Sequence, residues 1–192
     1  MELLGKTIGF AMTGSFCTFS KVIAEMENLA KTGAKIVPIM SQTAYSTDTR
    51  FGKSAEINKR IEEICQNKIL TTVFETEPIG PKGYLDLLLI APTTGNSLAK
   101  LASGVADTAV TMAAKAHLRN AKPVVIAPST NDGLANAAKN IGLLLNNKNI
   151  YFVPFGQDDF KNKPTSLVAD MTKIIPTICT ALDGIQLQPL LI

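Results

Sequence analysis

The sequence predicts an α/β fold, in which a doubly wound parallel sheet lies between two layers of helices in an αβα arrangement. Short apolar segments alternate along the chain with longer segments of helical periodicity, as in successive βαβ units. One of these segments, Leu85–Ala91, is apolar apart from Asp86, which is typical of a central parallel strand covered on both faces. The length of 192 residues suits a single domain over residues 1–192.

The predicted strands are short, apolar and often β-branched. In chain order they are Thr7–Met12, Lys35–Met40, Ile69–Phe74, Leu85–Ala91, Pro123–Ala127 and Ile150–Val153. The segment Pro78–Gly83 contains two prolines and two glycines and is predicted to be a loop.

Apolar residues at helical spacing predict helices over Phe19–Thr32 and Lys53–Gln66. A short helix is predicted over Asn96–Gly104, and another runs from an Asp107 N-cap through His117. The last two helices are predicted over the ranges Asn131–Asn146 and Ser166–Leu182. Pro176 falls inside the final helix and should kink it. This helix and the apolar tail Ile185–Ile192 form a C-terminal part of the domain that starts at about residue 164.

Charge and composition exclude several classes of protein. The net charge is only +3 and the lysines are scattered, whereas a nucleic-acid surface needs a clustered basic patch. No apolar run is long enough to span a membrane and the N-terminus lacks the features of a signal peptide, so we expect a cytoplasmic protein. Three cysteines at unrelated spacings and a single histidine predict reduced thiols and no metal site.

Polar side chains gather in the segments that follow the predicted strands. Such segments meet at the carboxyl edge of a parallel sheet, where ligands bind near the point at which strand order reverses. The segments are Thr13–Thr18, Ser41–Arg50, Pro92–Ser97 and Pro128–Asp132. The first of them lacks the GxGxxG pattern of a dinucleotide-binding loop.

Each segment taken alone fits turn and helix-capping chemistry, which uses the same residue types. Capping, however, needs only one hydroxyl or amide per helix, and each segment supplies several. The surplus favours a phosphate that is held by hydroxyls and backbone N–H groups, without the lysine of a Walker motif.

The order of residues in the third segment resembles a known signature. Pro92–Ser97 (Pro-Thr-Thr-Gly-Asn-Ser), followed by Lys100–Asp107, is similar to the pattern of the homo-oligomeric flavin-containing cysteine decarboxylase superfamily. Thr13–Ser15 fits the first loop of that superfamily, and Pro128–Asn131 fits its Pro-x-Met-Asn segment, with Thr130 in place of Met. The resemblance implies a Rossmann-like flavoprotein fold, bound FMN and a homo-oligomer, commonly trimer-based.

Three further stretches, Ser46–Gly52, Met112–Ala116 and Asn149–Asp159, narrow the resemblance to one branch of the superfamily. That branch contains one of the two components of an oxidoreductase of sporulating bacteria, which oxidises a dihydropyridine dicarboxylate to pyridine-2,6-dicarboxylate. The resemblance implies that NAD(P) binds to the partner, a separate dehydrogenase component, rather than to this chain.

The resemblance and the loop pattern together assign a candidate site. The cofactor-binding candidates are Gly14, Ser15, Ser41, Thr94, Asn96, Ser97 and Asn131. The hydroxyls and the Gly14 backbone would hold the flavin phosphate or ribityl chain, and the two asparagines would pair with the isoalloxazine ring or the substrate. Arg50 is the candidate for a substrate carboxylate, because a guanidinium binds carboxylates bidentately. The alternative for Arg50 is a surface arginine in a mobile loop.

Two departures argue against the decarboxylase activity of the superfamily. The decarboxylases of the superfamily carry a catalytic histidine shortly before the acidic residue of the central strand, but the corresponding region here, Pro78–Asp86, has no histidine. Their catalytic cysteine in a C-terminal substrate clamp is also missing, because Cys179 falls in an apolar helix pattern. No catalytic residue is assigned. Two functions remain open: an FMN-binding oxidoreductase subunit, or a non-catalytic subunit whose relic flavin pocket stabilises or activates the dehydrogenase. The apolar tail Leu187–Ile192 suits an interaction role in the second function, and the alternative for it is packing within a homo-oligomer.

Overall fold

Five parallel strands form the centre of the structure, a computed structural model that describes residues 3–192. They are β1 (Thr7–Met12), β2 (Lys35–Met40), β3 (Leu87–Thr93), β4 (Val124–Thr130) and β5 (Ile150–Phe152). The order across the sheet is β2-β1-β3-β4-β5, so the order reverses between β1 and β3. All seven residues of β3 are buried, as a central strand covered on both faces requires. The predicted fold class is confirmed.

The helices form two groups. They are α1 (Phe19–Lys31), α2 (Gln42–Ser46), α3 (Ser54–Cys65), α4 (Val73–Thr76), α5 (Ile79–Lys82), α6 (Gly95–Ala102), α7 (Ala109–Leu118), α8 (Ala138–Leu145) and α9 (Ile174–Leu182). In one group α1 contacts α9, and in the other α7 contacts α4, α5 and α6. Among residues 3–192, no helix has both the length and the apolar character needed to cross a membrane.

The C-terminal region differs from its prediction. Instead of one helix over 166–182, a hairpin of β6 (Phe155–Gly156) and β7 (Leu167–Ala169) comes first, and α9 begins only at Ile174. β7 pairs antiparallel with the second half of β4, with Ser129 opposite Val168. Pro176 lies in the first turn of α9, where the missing N–H costs no helical hydrogen bond, so the expected kink does not arise.

Four smaller predictions are also corrected. The helix expected from residue 131 begins at Ala138, and the loop predicted over 78–83 contains α5. The strand predicted over 69–74 is reduced to a bridge between Leu70 and Ile39, after which α4 starts. The N-cap of α7 is Thr108 rather than Asp107, because the Thr108 hydroxyl accepts the N–H of the third helical residue.

The C-terminal tail extends the sheet at its edge. The side-chain amide of Gln186 accepts from the Phe152 N–H and donates to the Phe152 carbonyl, both at 2.7 Å, as a neighbouring strand would. The N–H of Phe155 then donates to the Leu190 carbonyl, and the N–H of Ile192 donates to the Phe155 carbonyl. The tail is therefore tied to β5 and β6 by its backbone and by Gln186, while the Ile192 side chain stays exposed.

The single histidine gives the fold a predictable pH dependence. His117 is 1% exposed and its Nε2 donates to the Pro123 carbonyl at 3.1 Å. Burial, assisted by the charge of Lys122, lowers the pKa of His117 to about 4 from 6.5. The unfolded chain binds a proton between these values and the folded chain does not, so stability present above pH 6.5 is lost as the pH falls towards 4. We expect the free energy of unfolding to be about 2 kcal/mol lower at pH 5 than at pH 7.

Urea unfolding followed by circular dichroism at the two pH values checks this expectation. In His117→Gln the side chain can still donate to the Pro123 carbonyl but does not titrate, so the difference between pH 5 and pH 7 should largely disappear. A variant with the same pH dependence as the wild type would show that another group is responsible.

Candidate functional site

Two adjoining cavities open at the carboxyl edge of the sheet, beside the reversal of strand order between β1 and β3. The smaller one, about 300 Å³, is the hydroxyl cavity, lined by Thr13, Gly14, Ser41, Gln42, Thr43, Thr94, Asn96, Ser97, Lys100 and Thr108. The larger one, about 510 Å³, is the aromatic cavity, lined by Gly14, Ser15, Phe16, Cys17, Arg50, Phe51, Thr94, Ser129, Thr130, Asn131, Asp132, Asp158, Lys163, Ser166 and Val168. Gly14 and Thr94 line both. Volumes of this size are typical of small-molecule sites.

Thr13 fixes the boundary between the cavities. It is 1% exposed, and its hydroxyl donates to the Pro92 carbonyl at 2.8 Å while accepting from the Thr94 N–H at 3.0 Å. These bonds join the loop after β1 to the loop after β3. This one buried side chain therefore sets the relative positions of Gly14 and Thr94, the two residues that line both cavities.

The N-terminus of α6 faces the hydroxyl cavity. Thr94 is its N-cap: the hydroxyl accepts from the Ser97 N–H at 3.2 Å and donates to Ser97 Oγ at 3.1 Å. Because Ser97 Oγ accepts that bond, its own hydrogen can be donated into the cavity. A helix N-terminus with such donors favours an anion such as a phosphate.

Ser41 and Lys100 also line the hydroxyl cavity. The Ser41 hydroxyl caps α2 by accepting from the Ala44 N–H at 3.3 Å. The ammonium of Lys100 lies 2.8 Å from both carboxylate oxygens of Asp107, and its hydrogen bonds lower the pKa of that carboxyl. Lys100 is therefore paired with Asp107, and the hydroxyls and backbone N–H groups are the uncharged donors of this cavity.

Segments distant in sequence meet in the aromatic cavity. The Ser15 and Ser129 hydroxyls are hydrogen-bonded at 2.7 Å, which links the loop after β1 to the end of β4. The Thr165 hydroxyl donates to the Asn131 carbonyl at 2.7 Å, so the loop of the β6–β7 hairpin holds the segment after β4. Thr130 donates to Asp132 Oδ1, beside the first turn of α6.

Arg50 lies in a loop with its own hydrogen bonds. Asp48 accepts from the Ser54 N–H at 2.9 Å and from Lys53 at 3.0 Å, and the bond from the Ser54 backbone is the largest cause of an Asp48 pKa lowered to about 2. The Arg50 guanidinium lies 4.9 Å from the centre of the Phe51 ring, a cation–π distance. Arg50 is exposed to solvent while lining the aromatic cavity.

The structure brings the eight residues predicted from the sequence into these two cavities. Ser41, Asn96 and Ser97 line the hydroxyl cavity, Ser15, Asn131 and Arg50 line the aromatic cavity, and Gly14 and Thr94 line both. Their roles toward a ligand stay predictions. His117 is not among the lining residues, as its place at the far end of α7 indicated.

Sequence reasoning missed part of the aromatic cavity. Phe16 and Phe51 each follow a residue that was singled out, and their aromatic character next to polar loop positions was an available signal. Asp158, Lys163 and Ser166 were missed because the apolar spacing beyond residue 166 predicts a helix where the structure has a hairpin. Among residues 3–192, no group of three or more His, Cys, Asp or Glu side chains is arranged to hold a metal ion.

Comparison with known proteins gives the class of this fold and site. Residues 1–182 match the Flavoprotein family, and the chain belongs to that family. It is similar over its whole length to the B subunit of dipicolinate synthase from Bacillus subtilis (strain 168), with 47% identity over 191 residues that cover 100% of this chain and 96% of the relative.

Two solved structures extend the comparison. The crystal structure of the B subunit of dipicolinate synthase from Bacillus halodurans C is 48% identical, with a TM-score of 0.92 over 100% of this chain and 98% of that chain. The FMN-dependent cysteine decarboxylase SpaF is 23% identical, with a TM-score of 0.68 over 94% of this chain and 97% of that chain, and shows the shared fold. The resemblance drawn from the motifs is confirmed.

The first turn of α6 offers a stability test of the site. A Cβ on Gly95 would lie 2.6 Å from Asp132 Oδ1 and 2.7 Å from Thr130 Oγ1, so Gly95→Ala must displace this hydrogen-bonded pair. We expect Gly95→Ala to lower the free energy of unfolding by about 1–3 kcal/mol. Urea unfolding measures the change.

Gly142→Ala is the matched control, because Gly142 is also helical and a Cβ there meets nothing within 4 Å. That variant should be unchanged or more stable by up to about 1 kcal/mol. If both variants had the same stability, the close approach of Asp132 to α6 would not constrain residue 95.

Proposed function

We propose that this chain is the B subunit of a dipicolinate synthase and takes part, in the cytoplasm of sporulating cells, in oxidising dihydrodipicolinate to dipicolinate. In this proposal it is an FMN-binding oxidoreductase subunit. The supporting observation is the pair of adjoining cavities beside the β1–β3 reversal, in a chain that matches a B-subunit relative over its whole length. Flavodoxin-like sheets of this strand order bind FMN at that reversal.

The residues of the two cavities fit FMN by their chemistry. Ser41 and Ser97, with the N-terminus of α6, offer uncharged donors suited to a phosphate, and Thr94 holds Ser97 in place as the N-cap. Phe16 and Phe51 offer aromatic surface beside the Asn131 amide, which suits a flat ring with polar edges. When bound, FMN supplies an acceptor for a hydride taken from the substrate. Arg50 would bind and orient a substrate carboxylate at the open side of the aromatic cavity.

A partner and an oligomer are part of the same proposal. The relative is a B subunit by name, which implies a second component of the enzyme. We assign NAD(P) to that partner, the dehydrogenase or A subunit, as the resemblance implies; the loop after β1 of this chain lacks the dinucleotide-binding pattern. A trimer-based homo-oligomer is the expected form of this chain.

One observation favours a second function. The hydroxyls of Ser41 and Thr94 already accept bonds from helix N-termini, and those of Ser15 and Ser129 bond to each other. These residues therefore have a structural role that holds the pocket in shape without a ligand. The alternative is a non-catalytic subunit whose relic flavin pocket stabilises or activates the NAD(P)-dependent dehydrogenase.

The visible spectrum of the purified protein separates the two functions. We expect flavin absorption bands, either directly or after reconstitution with FMN, because the hydroxyl cavity supplies the phosphate donors. Ser97→Ala should weaken FMN binding about tenfold, since a donor to a charged group is lost. Ser20→Ala is the control, because Ser20 is an exposed residue of α1 that lines neither cavity. A fluorescence titration with FMN gives both dissociation constants.

A colourless protein that cannot be reconstituted with FMN, but still raises the activity of the dehydrogenase partner, would establish the alternative. If Ser97→Ala and wild type bound FMN with equal affinity, the hydroxyl cavity would not be the site that binds the phosphate.

Arg50→Ala tests the substrate side of the proposal. The variant should bind pyridine-2,6-dicarboxylate about tenfold more weakly, because an arginine–carboxylate pair is lost, and should keep the flavin spectrum of the wild type. Calorimetric titration measures the binding. Arg60→Ala loses the same charge from an exposed arginine of α3 that pairs with Glu27, and should bind normally. If Arg50→Ala behaved like Arg60→Ala, Arg50 would be a surface arginine.

A further inference from the structure

We infer that Lys163, in the loop of the β6–β7 hairpin, binds the second carboxylate of the ligand in the aromatic cavity, exchanging Asp158 for that carboxylate. Arg50 would take the first carboxylate, so the pair selects dicarboxylates over monocarboxylates. This inference rests on the proposed function in one respect, namely that the ligand of the aromatic cavity is a dicarboxylate.

The two cations that line the cavity come from separate parts of the chain. Arg50 belongs to the loop after β2, and Lys163 belongs to the hairpin that reaches this edge of the sheet by pairing with β4. Cations supplied by separate segments can contact two ends of one small molecule, and the spacing between them then selects among ligands. Neither segment alone forms such a site.

The ion pair between Lys163 and Asp158 can be broken at little cost in free energy. Its ammonium lies 3.2 Å from Asp158 Oδ2, with side-chain exposures of 54% and 33%. Ion pairs as exposed as this contribute little to stability. Ser166, which is 1% exposed, lines the same cavity, and its hydroxyl helps to lower the pKa of Asp158 against the effect of burial, which raises that pKa. The Asp158 carboxylate therefore keeps a buried polar neighbour when Lys163 turns to a ligand.

Three hydrogen bonds hold the backbone of the hairpin loop around Lys163, so the lysine side chain can exchange partners without a change of the backbone. The Lys163 N–H donates to the Asp159 carbonyl at 2.7 Å, and the Ser166 N–H donates to the Lys163 carbonyl at 3.0 Å. The Gln157 side chain donates to the Pro164 carbonyl at 2.8 Å, across the base of the loop.

The other acidic residue that lines the aromatic cavity, Asp132, has a different hydrogen-bond partner. Asp132 Oδ1 accepts from the Thr130 hydroxyl and lies against Gly95, at the first turn of α6. Arg50 and Lys163 are left as the groups of the cavity that attract anions.

The test compares two ligands on two variants. Pyridine-2,6-dicarboxylate and pyridine-2-carboxylate differ by one carboxylate, and their binding is measured by calorimetric titration of the protein with FMN in excess. In Lys163→Gln, dicarboxylate binding should weaken about tenfold while monocarboxylate binding changes little, so the preference for the dicarboxylate shrinks. In Asp158→Asn the competing carboxylate is removed, and dicarboxylate binding should tighten by about threefold.

Lys161→Gln is the matched control. It removes the same charge from the same loop, but Lys161 does not line the cavity and lies over the exposed Phe160 ring. Equal effects of Lys163→Gln and Lys161→Gln, or equal weakening of both ligands by Lys163→Gln, would overturn the assignment. If the wild type bound neither compound while showing the flavin spectrum, the dicarboxylate ligand itself would be wrong, whereas the flavin part of the proposed function would stand.

Discussion

The pairing of β1 with β3 is the constraint on which the site depends. These strands are neighbours in the sheet although Ile8 and its partner Leu87 are far apart in the chain. The Thr13 hydroxyl fastens their carboxyl ends together through Pro92 and Thr94. The strand order reverses at this junction, so the loops diverge to opposite sides and leave a crevice between them. Both cavities are built along that crevice.

A hydroxyl of the crevice can cap a helix and also donate a hydrogen bond to an anion. A serine or threonine oxygen can accept from a helix N-terminus and still donate its hydrogen outward. Ser97 shows a related arrangement, since its oxygen accepts from the Thr94 cap while the residue lines the hydroxyl cavity. Capping therefore pre-orders the donors for an anion.

Local pattern predicted much of the fold, and it failed where tertiary pairing decided the outcome. The apolar spacing of 19–32 and 53–66 predicted helices within a residue or so of α1 and α3. Over 166–182 the same spacing predicted a helix, and this prediction is wrong for the first part of the range. There Leu167–Ala169 meets the open edge of β4 and pairs with it. A short apolar run fits either structure, and only a neighbour with unpaired N–H and carbonyl groups decides between them.

The sequence by itself determined the class of fold, the polar loops at one edge of the sheet and the family motif, because each of these depends on residues that are close together along the chain. It also supplied all eight candidate residues, since they follow strands whose ends must meet. Only the tertiary structure decided that Asp158 and Lys163 share a cavity with Arg50. The loop after β2 and the β6–β7 hairpin are far apart in the chain, and their meeting depends on an antiparallel pairing whose partner strand no local pattern identifies.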